Sequence, residues 1–332
     1  MRPNDVEECV SIVAAHPIAG PRYAGGIADL GPAWHRLLAG DGFCAATVFE
    51  DTAGAAVTTI GVGVSVFVSD TFAREVKESP YFWIGPELAK RVVRGKPAVL
   101  SPREVLAANS GRGLNLLIWQ ASVRREDAQR MEVWNALMTA GVEHHRGYLL
   151  KEVFVAQAES IDHLLGLRHT GGFLWDGSRG CYGDVPLDDL HDIIRKPHVL
   201  GVTREIAQQR PLESITSMIG SLFVYRPPQF GFSRSEQRLL LAALHGGTDR
   251  ELSGDLGISL ATVKKTWRSI YDRVATRSPD LIASTSAADG DEAMPERGRE
   301  KKHPLIAYLR QHPEELRPVS RKLLRGNAVV VP

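Results

Sequence analysis

Cysteine is scarce in this 332-residue chain: Cys9, Cys44 and Cys181 are too few and too scattered for a disulfide framework or a zinc site, so each reads as a small core residue or a bystander thiol. Long apolar runs are missing too. No stretch approaches the ~18 apolar residues of a membrane helix. Met1 to Val10 carries Asp5, Glu7 and Glu8 where a secretory leader would be basic and then apolar. The expectation is a soluble, cytoplasmic protein with no membrane partner. Net charge is nearly absent as well, +1 at pH 7, so no whole-molecule field draws the chain to nucleic acid and any such binding must be local.

Catalytic signatures are also lacking. His144-His145, with His163 and His169 downstream, tempts a metal reading, but adjacent histidines point to different sides and no HExxH spacing is present. A solvated loop is the expectation there. No GxSxG elbow supports Ser-His-Asp chemistry. The acidic pair, later Asp and Lys of a phosphoacceptor receiver cannot be placed. Trp175, Asp176, Tyr182 and Asp184 would suit an autoinducer pocket but follow a loop-like stretch and read as loop and core residues. The sequence therefore predicts no catalytic residue, no cofactor, no metal site and no enzyme.

What is present is an ordinary globular composition, 43% hydrophobic and 24% charged, long enough for two or more domains. Its most informative stretch runs from Phe232 to Leu281. Apolar residues recur at helical spacing: Leu239, Leu240, Ala243 and Leu244, then Leu252 and Leu256, then Val263, Trp267, Ile270 and Val274. Ser233 with Glu236 forms a capping box, and Gly246-Gly247 ends that first helix. Thr248 caps a second helix, Gly257 permits the turn that stops it, and Ser259 caps a third, from Leu260 to about Val274. With Val263, Trp267 and Ile270 inward, Thr262, Lys264, Lys265, Arg268 and Ser269 face outward. Those cations lie where a recognition helix meets base edges, and lysine or arginine can donate to guanine O6 and N7. Phe232 to Arg277 holds eight Lys or Arg against five Asp or Glu, about +3.

This run resembles the LuxR-type helix-turn-helix of bacterial regulators over about fifty of 332 residues. Ser233 and Glu236 stand at the family's Thr and Glu, Gly246 at its helix-ending Gly, and Arg250-Glu251-Leu252 at its basic-Glu-apolar triplet. Leu256-Gly257-Ile258-Ser259, Thr262-Val263-Lys264 and Ser269-Ile270-Tyr271 follow its turn and recognition helix. The chain departs at Ser235, usually Arg, at Thr266, usually His, and at Trp267, usually a smaller apolar residue. The resemblance implies double-stranded DNA as partner, with Lys264, Lys265 and Arg268 as base readers and Thr262 as a phosphate contact. It also implies a homodimer on two half-sites, with RNA polymerase a candidate further partner and any small-molecule ligand unknown. That family commonly dimerises through a fourth helix. Ser278-Pro279 can start one through about Ser284, but Leu281, Ile282 and Ala283 are few apolar residues, so a dimer through it alone should be weak.

Before this module the pattern is α+β or mixed α/β. A helix with Val6, Cys9, Val10, Ile12 and Val13 buried follows an Asn4 or Asp5 cap, and a second covers Pro32 to Ala39, closed by Gly40. Phe43–Glu50 and Val57–Ser69 form a hairpin about a turn at Asp51–Gly54. Helices follow at Pro86–Val93 and from about Pro102, then a buried strand Leu114–Val123, a helix Glu126–Ala140, a strand Tyr148–Ala156, a helix Ser160–Arg168 and a strand Gly171–Trp175. Val199–Val202 reads as an edge strand, Glu213–Gly220 as a helix and Leu222–Tyr225 as a strand.

The order of these elements, the opening Met1–Asp5, and Ala158–Ile161 leading to Gly171-Gly172-Phe173 resemble the GNAT acetyltransferase fold. Its acyl-CoA signature would follow Val123. There stand Arg124-Arg125-Glu126-Asp127-Ala128-Gln129, whose acids at a helix start would repel a pyrophosphate. The resemblance implies a GNAT-like fold without acetyltransfer; a plain mixed α/β sensor domain is the alternative.

Pro227-Pro228 is the expected spacer before the DNA-binding module. Three stretches result: 1–225, a sensory or oligomerising domain; 226–285, an all-α helix-turn-helix domain; and 286–332, a flexible linker and basic tail. From Arg297 onward nine Lys or Arg face three Glu, and Leu305, Ile306, Tyr308 and Leu309 share one helix face, so docking on the body is preferred to a free phosphate-binding tail. The function expected is a transcriptional regulator. Its rival is an acyl-CoA-dependent N-acetyltransferase with an appended DNA-binding module.

Overall fold

In the computed structural model the described residues are 1–52, 57–78, 82–156, 158, 160–169, 171–184, 190–209, 218–283, 297–319 and 329–331. The chain divides into two compact units, Met1–Tyr225 with Gly326–Pro332, and Arg226–Arg325. No helix among the described residues is long and apolar enough to cross a membrane.

The first unit is mixed α/β. Its helices are α1 (Val6–Ala15), α2 (Ala19–Arg22), α3 (Ile27–Gly40), α4 (Asp70–Glu78), α5 (Ile84–Val93), α6 (Pro102–Asn109), α7 (Met131–His145), α8 (Ile161–His169), α9 (Leu190–Ile194), α10 (Arg204–Gln209) and α11 (Met218–Ser221). Its strands are β1 (Ala45–Asp51), β2 (Thr58–Val68), β3 (Leu114–Val123), β4 (Leu150–Val155), β5 (Phe173–Asp176), β6 (Cys181–Gly183), β7 (Leu200–Thr203) and β8 (Val329–Val331). They join in one eight-stranded sheet in the order β6-β5-β7-β4-β3-β2-β1-β8.

β1, β2 and β3 pair antiparallel in sequence, then β3 and β4 pair parallel, the crossover that a parallel pair requires being made by α7. Buried Val6, Cys9, Leu30, Trp34 and Leu88 of the helices share a core with Val62, Val64, Leu116 and Trp119 of the sheet. A second cluster joins Phe49, Ile60 and Val123 to Val133, Leu137 and Ala140 of α7. Cys9 is one of these core residues, and burial pushes its thiol up to about 12.

Several expectations are corrected. β7 is not an edge strand: β4 and β5 bond its two sides, and Gly201 makes room for this. A Cβ there would stand 2.5 Å from the Val153 carbonyl and 2.7 Å from Tyr182 Oη. α3 begins five residues before Pro32, which sits within its first turns, and its left-handed end falls on Asp41 and not on Gly40. α7 starts at Met131, because Arg125–Asp127 forms a separate 3-10 turn, and it runs on past Ala140 through His144 and His145. The solvated loop is thereby overturned for His145, which is buried with Nε2 2.7 Å from Ser65 Oγ. Leu222–Tyr225 forms no strand. The hairpin turn from residue 53 onward and residues 213–217 of the expected helix lie outside the described residues.

In the second unit the described residues form α12 (Arg234–Leu244), α13 (Asp249–Leu256), α14 (Leu260–Arg277), α15 (Asp280–Ala283), α16 (Arg297–Gln311) and a 3-10 turn, Pro313–Leu316. The basic tail does not stay apart. Leu305, Ile306 and Leu309 of α16 and Leu316 are buried in one cluster with Phe230, Leu240, Val263, Ile270 and Ile282. Buried Glu315 accepts the amides of Gln229 and Phe230 at 2.7 and 2.9 Å, tying the end of this unit to its beginning. The reason is burial: the apolar stripe of α16 removes from water what α12 and α15 would otherwise expose. Residues 284–296 of the expected linker lie outside the described residues.

Candidate nucleic-acid interface

Each of the three helices from Arg234 to Arg277 is started by a side chain that captures an amide. Ser233 Oγ accepts from the Glu236 amide at 3.4 Å, Thr248 Oγ1 from that of Glu251 at 3.3 Å and Ser259 Oγ from that of Thr262 at 3.1 Å. In the first two the glutamate returns the bond to the cap's own amide, at 2.7 and 2.6 Å. Gly257 ends α13 at φ 62°, a left-handed turn that no β-carbon favours, so α14 departs in a new direction.

α14 is held by its inner face, where Val263, Trp267, Ile270 and Val274 are buried. A polar clamp adds to this. Glu236 of α12, itself buried, accepts Ser269 Oγ at 2.8 Å and pairs with Arg273 Nε at 3.2 Å. Burial alone would push the Glu236 carboxyl up, but bonds from Ser233 and Ser269 and the Arg273 charge outweigh it and hold it below the usual carboxylate range. Ser269, expected to face outward with the readers, thus spends its hydroxyl on the joint between α12 and α14.

Thr262, Lys264, Lys265 and Arg268 are all exposed. Among the described residues no hydrogen bond or ion pair engages the three cations, so their donors remain available to a partner. Thr262 differs. Its hydroxyl lies 2.8 Å from that of Ser259, and its carbonyl accepts Thr266 Oγ1 at 2.9 Å. It therefore shares the helix start with the cap and offers a phosphate only what that pair leaves.

Sequence reasoning missed Lys302. Its Nζ stands 5.2 Å from the centre of the Trp267 ring, 3.0 Å from the Gly247 carbonyl and 3.7 Å from Asp249. Trp267 also stacks on Tyr271, ring centres 5.5 Å apart. The unusual size of residue 267 was the available signal: a ring this large needs a neighbour, and α16 supplies one.

In the first unit one group of polar side chains lies where β3 outruns β4. Their ladder ends at Ile118 and Val155, whereas β3 continues to Val123 with only β2 beside it among the described residues. On this stretch Gln120 Nε2 donates to Ser122 Oγ at 2.7 Å, and Trp119 Nε1 donates to Tyr23 Oη at 3.1 Å. Arg22 donates to the Ala158 and Ile194 carbonyls at 2.8 and 2.7 Å and lies over the Trp83 ring. The arginines just beyond are occupied by carboxylates. Arg124 pairs with Glu8 at 2.7 Å, and Arg130 binds Asp51 at 2.5 Å, Asp127 at 3.0 Å and Glu132 at 2.8 Å.

Trp175 and Tyr182 face each other across β5 and β6, with ring centres 5.0 Å apart. Tyr182 Oη donates to buried Glu152 at 2.6 Å, and Lys77 donates to both oxygens of the same carboxylate. Asp176 accepts from Ser178. This constellation is spent within the fold. Among the described residues no group of three or more His, Cys, Asp or Glu is placed to hold a metal ion.

No family model matches this chain, and neither does any curated protein or solved structure.

Proposed function

We propose that the protein is a DNA-binding transcriptional regulator whose second unit, a LuxR-type all-α helix-turn-helix domain, reads a duplex through α14. One observation carries this reading: Lys264, Lys265 and Arg268 stand exposed and unpaired among the described residues on the outer face of a capped helix whose inner face is the core. Lysine and arginine in that position donate to guanine edges in a major groove, while Thr262 and backbone amides hold register on phosphates. The protein acts as a homodimer on two half-sites about one helical turn apart. The first unit senses or oligomerises, works without enzymatic activity, and the whole resides in the cytoplasm. Selecting bound DNA from a random pool tests the reading. A two-fold symmetric consensus is the expected result, and recovery of no enriched sequence would refute it.

A second reading has an observation of its own. The β3/β4 parallel pair that parts after Ile118, with β7 inserted between β4 and β5, is consistent with a GNAT-like reading of this α/β unit. An acyl-CoA-dependent N-acetyltransferase would need free donors for a pyrophosphate after Val123. Arg124 and Arg130 are paired with carboxylates there, and Glu126, Asp127 and Glu132 surround the start of α7. The fold is compatible with that family and the transfer reaction is not favoured.

A further inference from the structure

The outer face of α14 meets its buried face at Trp267. Exposed Lys264 and Arg268 and the buried or half-buried rings of Trp267 and Tyr271 fall at i, i+4, i+3 and i+7, so they line one stripe along that border. Lys302 seats its ammonium on the Trp267 ring within that stripe. Its other partners, the Gly247 carbonyl and Asp249, mark the start of α13. In helix-turn-helix docking the helix before the recognition helix lies across the phosphate backbone, and α13 is that helix here. The first turns of α16 are thereby anchored beside the two elements that would meet a duplex.

The sequence of those turns suits a polyanion. From Arg297 to Pro304 the helix carries Arg297, Arg299, Lys301 and Lys302 against Glu300 alone. Lys302 is turned inward to Trp267, whereas Lys301 and His303 on either side of it are exposed and have no ion-pair partner among the described residues. A merely solvated basic face would not need an anchor of three contacts at its cationic end. Farther along, the same helix is fixed by Leu305 and Leu309, so Lys301 is carried on a rigid element.

We propose that α16 is a third DNA-contacting element of this unit, Lys301 adding a phosphate contact on the flank of the groove that receives Lys264 and Arg268. This rests on the DNA-binding reading above. The contact is electrostatic and indifferent to sequence, so it strengthens binding to any duplex and leaves the choice of bases to α14.

The test uses the full chain and two duplexes, one of random sequence and two helical turns long, the other the selected consensus, with binding followed by fluorescence anisotropy over a range of salt. Lys301→Gln is expected to weaken both duplexes by the same factor, roughly eightfold at 0.1 M salt, and to reduce the slope of log K against log salt by about 0.9. Lys301→Glu should weaken them further. Arg103→Gln, which removes an exposed cation from the first unit, should leave the slope unchanged. If the parent binds and Lys264→Gln with Arg268→Gln abolishes preference for the consensus, yet Lys301→Glu keeps the parent slope, α16 is no contact and the reader assignment stands. If the parent binds neither duplex at low salt, the DNA reading itself fails and this proposal with it. Thermal melting of Lys301→Gln at the parent's temperature excludes unfolding as the cause.

Discussion

His198 is buried with both ring nitrogens engaged: Nε2 accepts the Ala158 amide at 3.2 Å, and Nδ1 faces the Lys196 carbonyl at 2.9 Å. That pattern suits only the neutral ring carrying its hydrogen on Nδ1. Burial, aided by the Arg22 charge, lowers its pKa to about 4 from 6.5. The unfolded chain takes up the proton near 6.5 and the folded chain only near 4, so the stabilisation is complete above 6.5 and is lost as pH falls between those values. The loss should reach roughly 2 kcal/mol at pH 5. Denaturant unfolding at pH 7 and pH 5 checks this, because His198→Asn should shrink the difference by about that amount and leave the part due to His163, whose pKa burial also lowers to about 4; an undiminished difference in that variant would assign it to other groups. At the readers the expectation concerns binding and not stability. Lys265→Ala or Arg268→Ala should cost roughly 1 to 3 kcal/mol on the selected site while unfolding as the parent does. Parental affinity in both variants would remove these residues from the interface.

At the scale of elements, two glycines do different work. Gly257 holds φ 62° with nothing within 4 Å of the place a Cβ would take, so Gly257→Ala should cost about 1 kcal/mol through backbone strain alone. Gly257→Asn should recover part of that loss, since asparagine tolerates the left-handed region. Gly201 is limited by space and not by φ. Gly201→Ala should destabilise the first unit by on the order of 1 to 3 kcal/mol, because β4 and Tyr182 close on it from both sides. Equal costs for alanine and asparagine at Gly257, read from urea midpoints, would count against the strain account. The helical elements of the second unit were legible in advance because caps and stops are local chemistry: Ser233, Thr248, Gly257 and Ser259 act within a few residues of themselves. α4 and β6 were not legible. α4 buries only Phe72, Ala73 and Val76, and β6 is three residues long with Cys181 exposed, patterns too short to separate from loops.

For the whole molecule, the docked tail bears on assembly. Ile282 of α15 is buried within its own unit, and α16 belongs to the same cluster, so little of that fourth helix's apolar surface is left for a second copy. Dimerisation should therefore be weak in solution and appear on DNA carrying two half-sites. Sedimentation with and without such a duplex measures this, and a tight dimer without DNA would require a surface other than α15. Calorimetric titration with acetyl-CoA should show no micromolar binding, given the carboxylates that occupy Arg124 and Arg130. Saturable heat in that range would reopen the transferase reading.

The amino-acid sequence by itself determined the three capped helices, the inward set Val263, Trp267, Ile270 and Val274, and the outward cations beside them, since each follows from spacing within one helix. It also determined β3, whose unbroken apolar run can only be buried. Only the tertiary structure decided that β7 slips between β4 and β5, that His145 lies inside against Ser65, and that α16 brings Lys302 to Trp267. Those pairings join residues 26 or more positions apart, and no local propensity specifies which distant surface will cover an apolar face or satisfy a buried donor.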